Sequence, residues 1–180
     1  MNICVFCGSS HGADLAFTQA AKVLAKLICD SNSTLVYGGG NIGLMGVLAD
    51  EILADQGKVI GVIPDFLMRK EVGHTGITQL EIVSTMHERK KRMAELADVF
   101  VAIPGGWGTL DEFAEILTWR QLGLINQPIG LLNISGFFDH LILQMKHMAE
   151  MKFLPSANLA QIKISDDPKK LLTALGVKLN

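Results

Sequence analysis

The chain has 180 residues, enough for one domain with a sizeable core, and with 49% hydrophobic and 19% charged residues it is a globular sequence and not a disordered one. Its formal net charge of -2 offers no global attraction for nucleic acid or an anionic membrane, and no apolar run approaches the length of a membrane span. The first residues lack a basic stretch ahead of an apolar one, so a single cytoplasmic domain over residues 1–180 is expected.

Residues 3–7 form a short apolar run that reads as a strand, and Gly8-Ser9-Ser10 follows as a small polar turn. Cys4 and Cys7 have the spacing of a redox or zinc pair. Positions three apart on a strand point to opposite faces, however, and no second pair completes a zinc site. Cys29 falls on a helix pattern, so all three cysteines are expected to be packed thiols, and neither a metal nor a cofactor is expected. From Asp14 the apolar positions Phe17, Ala20, Ala21, Leu24, Leu27 and Ile28 recur at spacings of three and four, which predicts an amphipathic helix.

Residues 34–37 read as a second strand, and Gly38-Gly39-Gly40-Asn41-Ile42-Gly43 leads into a helix through Leu44, Val47, Leu48 and Ile52. Formally this is G-x-G-x-x-G between strand and helix, with Asp65 near the distance at which a dinucleotide site places its ribose acid, after a strand over residues 59–63. A nicotinamide or flavin site is therefore one alternative, although that fingerprint usually sits on the first strand of a fold. A phosphate or nucleotide contact through Gly39 and Gly40 without a dinucleotide is a second. A tight turn that brings helix and strand together is a third. Residues 66–76 carry Arg69, Lys70, Glu71 and His74 without a clean period and read as a loop with a short helical turn. Residues 80–83 read as the next strand.

A helix is predicted over residues 84–97, opened by the capping box Thr85-Met86-His87-Glu88. Arg89, Lys90, Lys91 and Arg92 come next, four cations in the first two turns, where the helix dipole disfavours them. The pattern fits either an anion nearby or a solvated basic face.

Residues 99–103 are five apolar residues in a row, a buried strand ended by Pro104-Gly105-Gly106. Beyond Thr109 the apolar positions Phe113, Ile116 and Leu117 take helical spacing. A strand, a glycine turn and a helix N-terminus together gather backbone N–H groups where phosphate binds well. Thr109-Leu110-Asp111-Glu112 also reads as a capping box, with Thr109 at the N-cap. After it, residues 128–132 form a strand, Ser135 is a candidate cap for a helix carrying Phe138, Leu141, Ile142, Met145 and Met148, and residues 160–164 read as an edge strand. Asp166 or Asp167 caps a last helix with Pro168 in its first turn.

Strands and helices alternate throughout, which predicts a three-layer α/β fold, a doubly wound and mainly parallel sheet with helices on both faces. All three glycine turns then leave strand ends on one edge, the edge where such sheets bind ligands.

Pro104-Gly105-Gly106-x-Gly108-Thr109-x-x-Glu112 resembles the PGGxGTxxE signature of the LOG (Lonely Guy) family of cytokinin riboside 5'-monophosphate phosphoribohydrolases, often labelled lysine decarboxylases. Cys7-Gly8-Ser9-Ser10, Tyr37-Gly38-Gly39-Gly40 with Gly43-Leu44-Met45-Gly46, and Met86-His87-x-Arg89-Lys90 match in order, so the resemblance covers nearly the whole chain. It implies a Rossmann-like homodimer with active sites near the subunit interface, acting on a nucleoside monophosphate. By the same resemblance Arg89 and Glu112 are catalytic, and Glu71, Lys90, Gly106, Trp107, Gly108, Thr109, Leu110, Asp111 and Thr118 contact substrate. The turn residues Gly8, Ser9, Gly39 and Gly40 are candidate contacts from their position.

The expected reaction is hydrolysis of the N-glycosidic bond of a nucleoside 5'-monophosphate through an oxocarbenium-like transition state. A carboxylate beside the ribose suits Glu112, and a planar charged fork suits Arg89. Decarboxylation would need pyridoxal phosphate on a Schiff-base lysine, and Lys90 and Lys91 sit in a cationic cluster with no evident partner for the cofactor ring. A non-catalytic nucleotide or cofactor carrier on the same cradle is the alternative from a different class.

Overall fold

The computed structural model describes residues 1–71 and 73–179, without the side chains of Arg69 and Glu71. The first half of the chain forms β1 (Asn2–Phe6), α1 (Leu15–Asp30), β2 (Thr34–Tyr37), α2 (Gly43–Ala54), β3 (Lys58–Pro64), α3 (Asp65–Glu71) and β4 (Gln79–Val83). The second half forms α4 (Met86–Leu96), β5 (Val99–Ala102), α5 (Trp107–Gln121), β6 (Ile129–Leu132), α6 (Asp139–Glu150), α7 (Ser156–Leu159), β7 (Ile162–Ser165) and α8 (Pro168–Ala174).

The seven strands make one sheet in the order β4-β3-β2-β1-β5-β6-β7, and every neighbouring pair is parallel. A parallel sheet covered on both sides needs strands that are apolar on both faces, and β1, β5 and β6 are such runs. The pleat divides their side chains between two cores. Ile3, Val5, Val99 and Val101 pack against residues of α1, α2 and α8. Cys4, Phe6, Phe100 and Ala102 pack against residues of α4, α5 and α6. Cys4 and Cys7 therefore lie on opposite faces, both as free thiols. This is a Rossmann-like α/β architecture, and among the described residues no helix is long and apolar enough to cross a membrane.

The connections run outward from β1 through β2, β3 and β4, then return across the sheet so that β5 lies beside β1. The strand order reverses there, and the turns after β1 and β5 are drawn together. The backbone N–H of Gly8 donates to the Pro104 carbonyl at 3.1 Å, just past the donation from Ile103 to Phe6 at 2.9 Å. A Cβ on Gly105 would lie 2.8 Å from the Gly8 nitrogen, so the approach of the two turns requires glycine.

Three local expectations are corrected. The stretch after β3 is a seven-residue helix, α3, rather than a loop with one turn. Thr109 is not an N-cap: α5 starts at Trp107 with Gly106 at the N-cap and no side-chain cap. The chain enters the helix at Trp107, three residues before the start that a Thr109 cap implies. Ser135 does not cap α6 either. It sits at φ +52° in a 3-10 turn, and its hydroxyl donates to Asp14 at 2.9 Å. Asn133 takes over that end, accepting from the Phe138 amide and donating to Asp139, each at 2.7 Å. The caps at Thr85 and Asp167 form as the sequence predicts.

Candidate active site

The reversal of strand order opens a polar cleft of about 180 Å³ above the ends of β1, β2 and β5. Gly8 and Ser9 reach it from the β1 turn, and Gly106, Trp107, Gly108 and Thr109 from the first turn of α5. Because Gly106 has no side chain to cap the helix, the leading amides of α5 keep their hydrogen-bonding capacity for a ligand. Thr109 is buried, and its hydroxyl has no hydrogen-bond partner among the described residues.

Arg89 from α4 and Glu112 from α5 face each other across this cleft, with Nη2 3.8 Å from Oε1 and each side chain only 9% exposed. That separation is an ion pair without a hydrogen bond. The guanidinium is poorly satisfied: Nη1 makes a weak contact with the Met86 sulfur at 3.8 Å, and Nε has no partner among the described residues. Burial pushes the Glu112 carboxyl up to about 7, against the opposing pull of Arg89. A buried acid that titrates near neutrality beside an under-satisfied cation is the kind of pair that active sites hold. Cys7 also lines the cleft, but burial raises its thiol well above the usual range, so it is no nucleophile here.

The four cations of α4 separate by role. Lys90 sits 3.1 Å from Asp111 and 3.2 Å from Glu115 on α5. Lys91 pairs with Glu95 at 3.8 Å, and Arg92 forks onto Glu81 of β4 at 2.6 and 3.0 Å. All four cations thus have an acid within ion-pair distance, and of the four Arg89 is the one that lines the cleft.

The remaining sequence candidates lie elsewhere. Lys90 and Asp111 bind each other outside the cleft lining, and Leu110 packs against the core beneath α5. Thr118 donates to the Ala114 carbonyl at 2.8 Å and faces a groove between α5, α6 and α7. Gly39 and Gly40 are not among the residues that line the cleft: Gly39 accepts from the His74 amide at 2.9 Å, and Gly40 bridges to Gly73. The glycine run is therefore used for close packing, as is Gly43, where a Cβ would lie 2.2 Å from the Ser9 backbone. Asp65 opens α3, two strands out from β1, and is not in the cleft lining. The Glu71 side chain lies outside the described residues.

Two contributors were not singled out from the sequence. A Cβ on Gly38 would lie 1.9 Å from Arg89 Nη2, so this glycine makes the space in which the guanidinium lies. Glu115 completes the seat of Lys90. Its only sequence signal is the spacing of four from Asp111, which puts both acids on one helix face.

Among the described residues no cluster of three or more His, Cys, Asp or Glu side chains is placed to hold a metal ion. A family model described as "Possible lysine decarboxylase" matches residues 45–175. The chain is 40% identical over 173 residues to a rice protein (Oryza sativa subsp. japonica) named a probable cytokinin riboside 5'-monophosphate phosphoribohydrolase, covering 96% of this chain and 71% of that one. It is likewise 40% identical over 173 residues to a cytokinin riboside 5'-monophosphate phosphoribohydrolase of Arabidopsis thaliana, covering 96% and 81%. Among solved structures, the molybdenum cofactor binding protein of Rippkaea orientalis superposes with a TM-score of 0.72 over 97% of this chain and 94% of that one. At 21% identity that likeness shows the shared fold.

Pyridoxal phosphate, which a lysine decarboxylase would require, does not fit the lysines beside the cleft. Burial pulls the Lys90 ammonium down, but the hydrogen bonds it donates to Asp111 and Glu115 outweigh it and hold the group above the ordinary lysine range. Lys91 is mostly exposed and paired on its own helix. Neither is a free amine poised to form a Schiff base.

Proposed function

The chain belongs to the LOG family of phosphoribohydrolases, and on that premise we propose that it hydrolyses the N-glycosidic bond of nucleoside 5'-monophosphates, including cytokinin riboside 5'-monophosphates and AMP. The observation that carries the proposal is the Arg89–Glu112 pair, buried at 3.8 Å in the cleft where the strand order reverses. The 5'-phosphate lies against the uncapped amides of α5 and the Thr109 hydroxyl. This places the ribose under the two charged side chains. The bond from the anomeric carbon to the base breaks, the electron pair leaves with the base, and the base takes up a proton. Positive charge develops on the ribose, and the Glu112 carboxylate stabilises it. Water then bonds to the anomeric carbon and gives up a proton, giving ribose 5-phosphate. A carboxyl titrating near 7 is suited to accept that proton at neutral pH. Arg89 presents a planar fork to substrate oxygens or to the departing base.

The same proposal takes residues 1–180 as a single domain acting as a homodimer in the cytoplasm. Grooves flank α5 on both sides, and Leu124 and Phe153 at their rims are 68% and 85% exposed, apolar surface of the kind that subunits cover. Light scattering on the purified protein reads that mass directly. Three free thiols suit a reducing compartment.

Incubation with AMP and with isopentenyl-AMP, followed by chromatography for free base and ribose 5-phosphate, tests the reaction. Release by the native protein and none by Glu112→Gln is the expected result. Tight binding of the nucleotide without release identifies a carrier and overturns the hydrolase.

A further inference from the structure

Met86 opens α4, and Arg89 follows three residues later on the same face of the helix. The Thr85 hydroxyl caps this end by accepting from the Glu88 amide at 3.1 Å, which fixes the first turn and with it the place of both side chains. Arg89 Nη1 lies 3.8 Å from the Met86 sulfur, and Nη2 lies 3.8 Å from Glu112 Oε1. The two amino groups of one fork are thus divided between a thioether and a carboxylate. Gly38 backs this arrangement: the place of a Cβ there is taken by Nη2, and the Met45 sulfur lies 3.3 Å from the same position. Met45 and Met86 both line the cleft, so the guanidinium sits in a seat of soft, apolar groups.

A thioether is a weak acceptor on an apolar body. It holds one amino group in direction without satisfying it. The oxygens of a bound anion displace it readily, because hydrogen bonds between ionised partners are the stronger kind. A hydrocarbon at residue 86 takes that weak hold away and leaves the carboxylate as the acceptor toward which the fork turns.

Resting on the assignment of Arg89 and Glu112 to the chemistry, we propose that Met86 is a positioning residue: its sulfur holds one amino group of Arg89 off Glu112 and so keeps the pair open for substrate.

The state of the pair is readable at Glu112. That carboxyl is faced by Arg89 and Lys90 from α4, by Asp111 and Glu115 from its own helix, and by the Cys4 and Cys7 thiols from β1. Met86 carries no charge. Its replacement by another neutral residue leaves all of these groups in place and moves the Glu112 titration through the position of Arg89. A guanidinium that closes onto the carboxylate favours its charged form and moves that titration down.

The test uses the whole protein with AMP as substrate and two variants, Met86→Leu and Met86→Gln. Leucine keeps the volume and the apolar surface and removes only the sulfur. The expected result for Met86→Leu is a fall in kcat of about fivefold with KM within about twofold, and an acid limb of the pH–rate profile that moves to lower pH as the pair closes. Glutamine puts a full acceptor beside Nη1. It holds the fork off Glu112, so the limb does not move down, but the substrate must now displace an amide oxygen, and KM rises by about fivefold. A native kcat with an unmoved limb in Met86→Leu limits Met86 to packing and overturns the proposal. A rise in KM with kcat unchanged in that variant makes the sulfur a substrate contact and overturns it as well. Should Met86→Gln fail to fold, Met86→Leu decides the matter alone. If the native protein releases no base, the hydrolase reading fails by itself. The seat is then read without turnover from the carboxyl carbon-13 titration of Glu112, assigned with Glu112→Gln: a downward move in Met86→Leu supports it, and an unmoved titration overturns it.

Discussion

Gly38 follows β2 and Arg89 lies on α4, yet the guanidinium occupies the place where a side chain at residue 38 would begin, with Nη2 1.9 Å from the position of a Cβ. The atom in the way is the end of a flexible side chain and not backbone, so Gly38→Ala displaces the guanidinium without breaking the sheet. The expected outcome is a melting temperature close to native and a loss in kcat/KM for AMP on the order of 100-fold, the effect of moving a reacting group by about 1 Å. Native-like kinetics in this variant would mean that Arg89 works from another position.

Glu112 connects the chemistry to stability. Its carboxyl titrates at about 7 in the fold against an ordinary 4.5. Between those values the folded protein keeps a proton that the unfolded chain releases, so stability is fully present below the lower value and falls as pH rises through the upper one. Glu112→Gln carries no such penalty. It is expected to be more stable than the native protein at pH 8, by at most ~3 kcal/mol at ~1.4 kcal/mol per pKa unit, and to lose that advantage by pH 4 while remaining inactive at both. Thermal melts of the two proteins across that range check the sign. An equal gap at both ends would show that Glu112 is not a buried acid.

How much of this was legible in the sequence depends on how local each cause is. The strand at Val99–Ala102, the caps at Thr85 and Asp167, and the opposite faces of Cys4 and Cys7 follow from neighbours a few residues away, and they form as read. Thr109 and Glu112 satisfy a capping pattern as strings of letters, but Gly106 had already admitted the chain to the helix, which freed both side chains for the cleft. The partners of Lys90 and Arg92 come from α5 and β4, and Ser135 bonds to Asp14 121 positions away. Such pairings exist only once the sheet order is known. For the same reason the cations of α4 read as a sign of either a bound anion or a solvated basic face, when protein acids lie within ion-pair distance of all four.

Thr109 offers a way to separate ligand from fold. A buried hydroxyl with no partner among the described residues contributes nothing by staying and costs its desolvation. Thr109→Val keeps the shape and removes the hydroxyl, so it is expected to melt at or slightly above the native temperature. If that hydroxyl receives the substrate phosphate, the same variant weakens AMP binding by about tenfold, the worth of roughly one hydrogen bond to a charged group. Calorimetric titration with AMP beside a thermal melt measures both, and a variant that melts lower while binding AMP normally would return Thr109 to a structural role.

The last distinction is between charge and shape at residue 89. Lysine keeps the positive charge near Glu112, so a site that needs only a cation tolerates Arg89→Lys. A site that needs the fork does not, because the ammonium has no planar pair of donors to span two acceptors. The guanidinium here lies in the space left by Gly38, has an unpartnered Nε among the described residues, and stands too far from Glu112 to be satisfied by it. Its donors are thus kept for something the protein itself does not supply. Arg89→Lys is expected to fold normally, to leave the acid limb of the pH–rate profile within about half a unit of its native place because the charge beside Glu112 persists, and to lose at least about 100-fold in kcat/KM. A large move of that limb with activity retained would assign Arg89 to tuning the carboxylate rather than to holding the substrate.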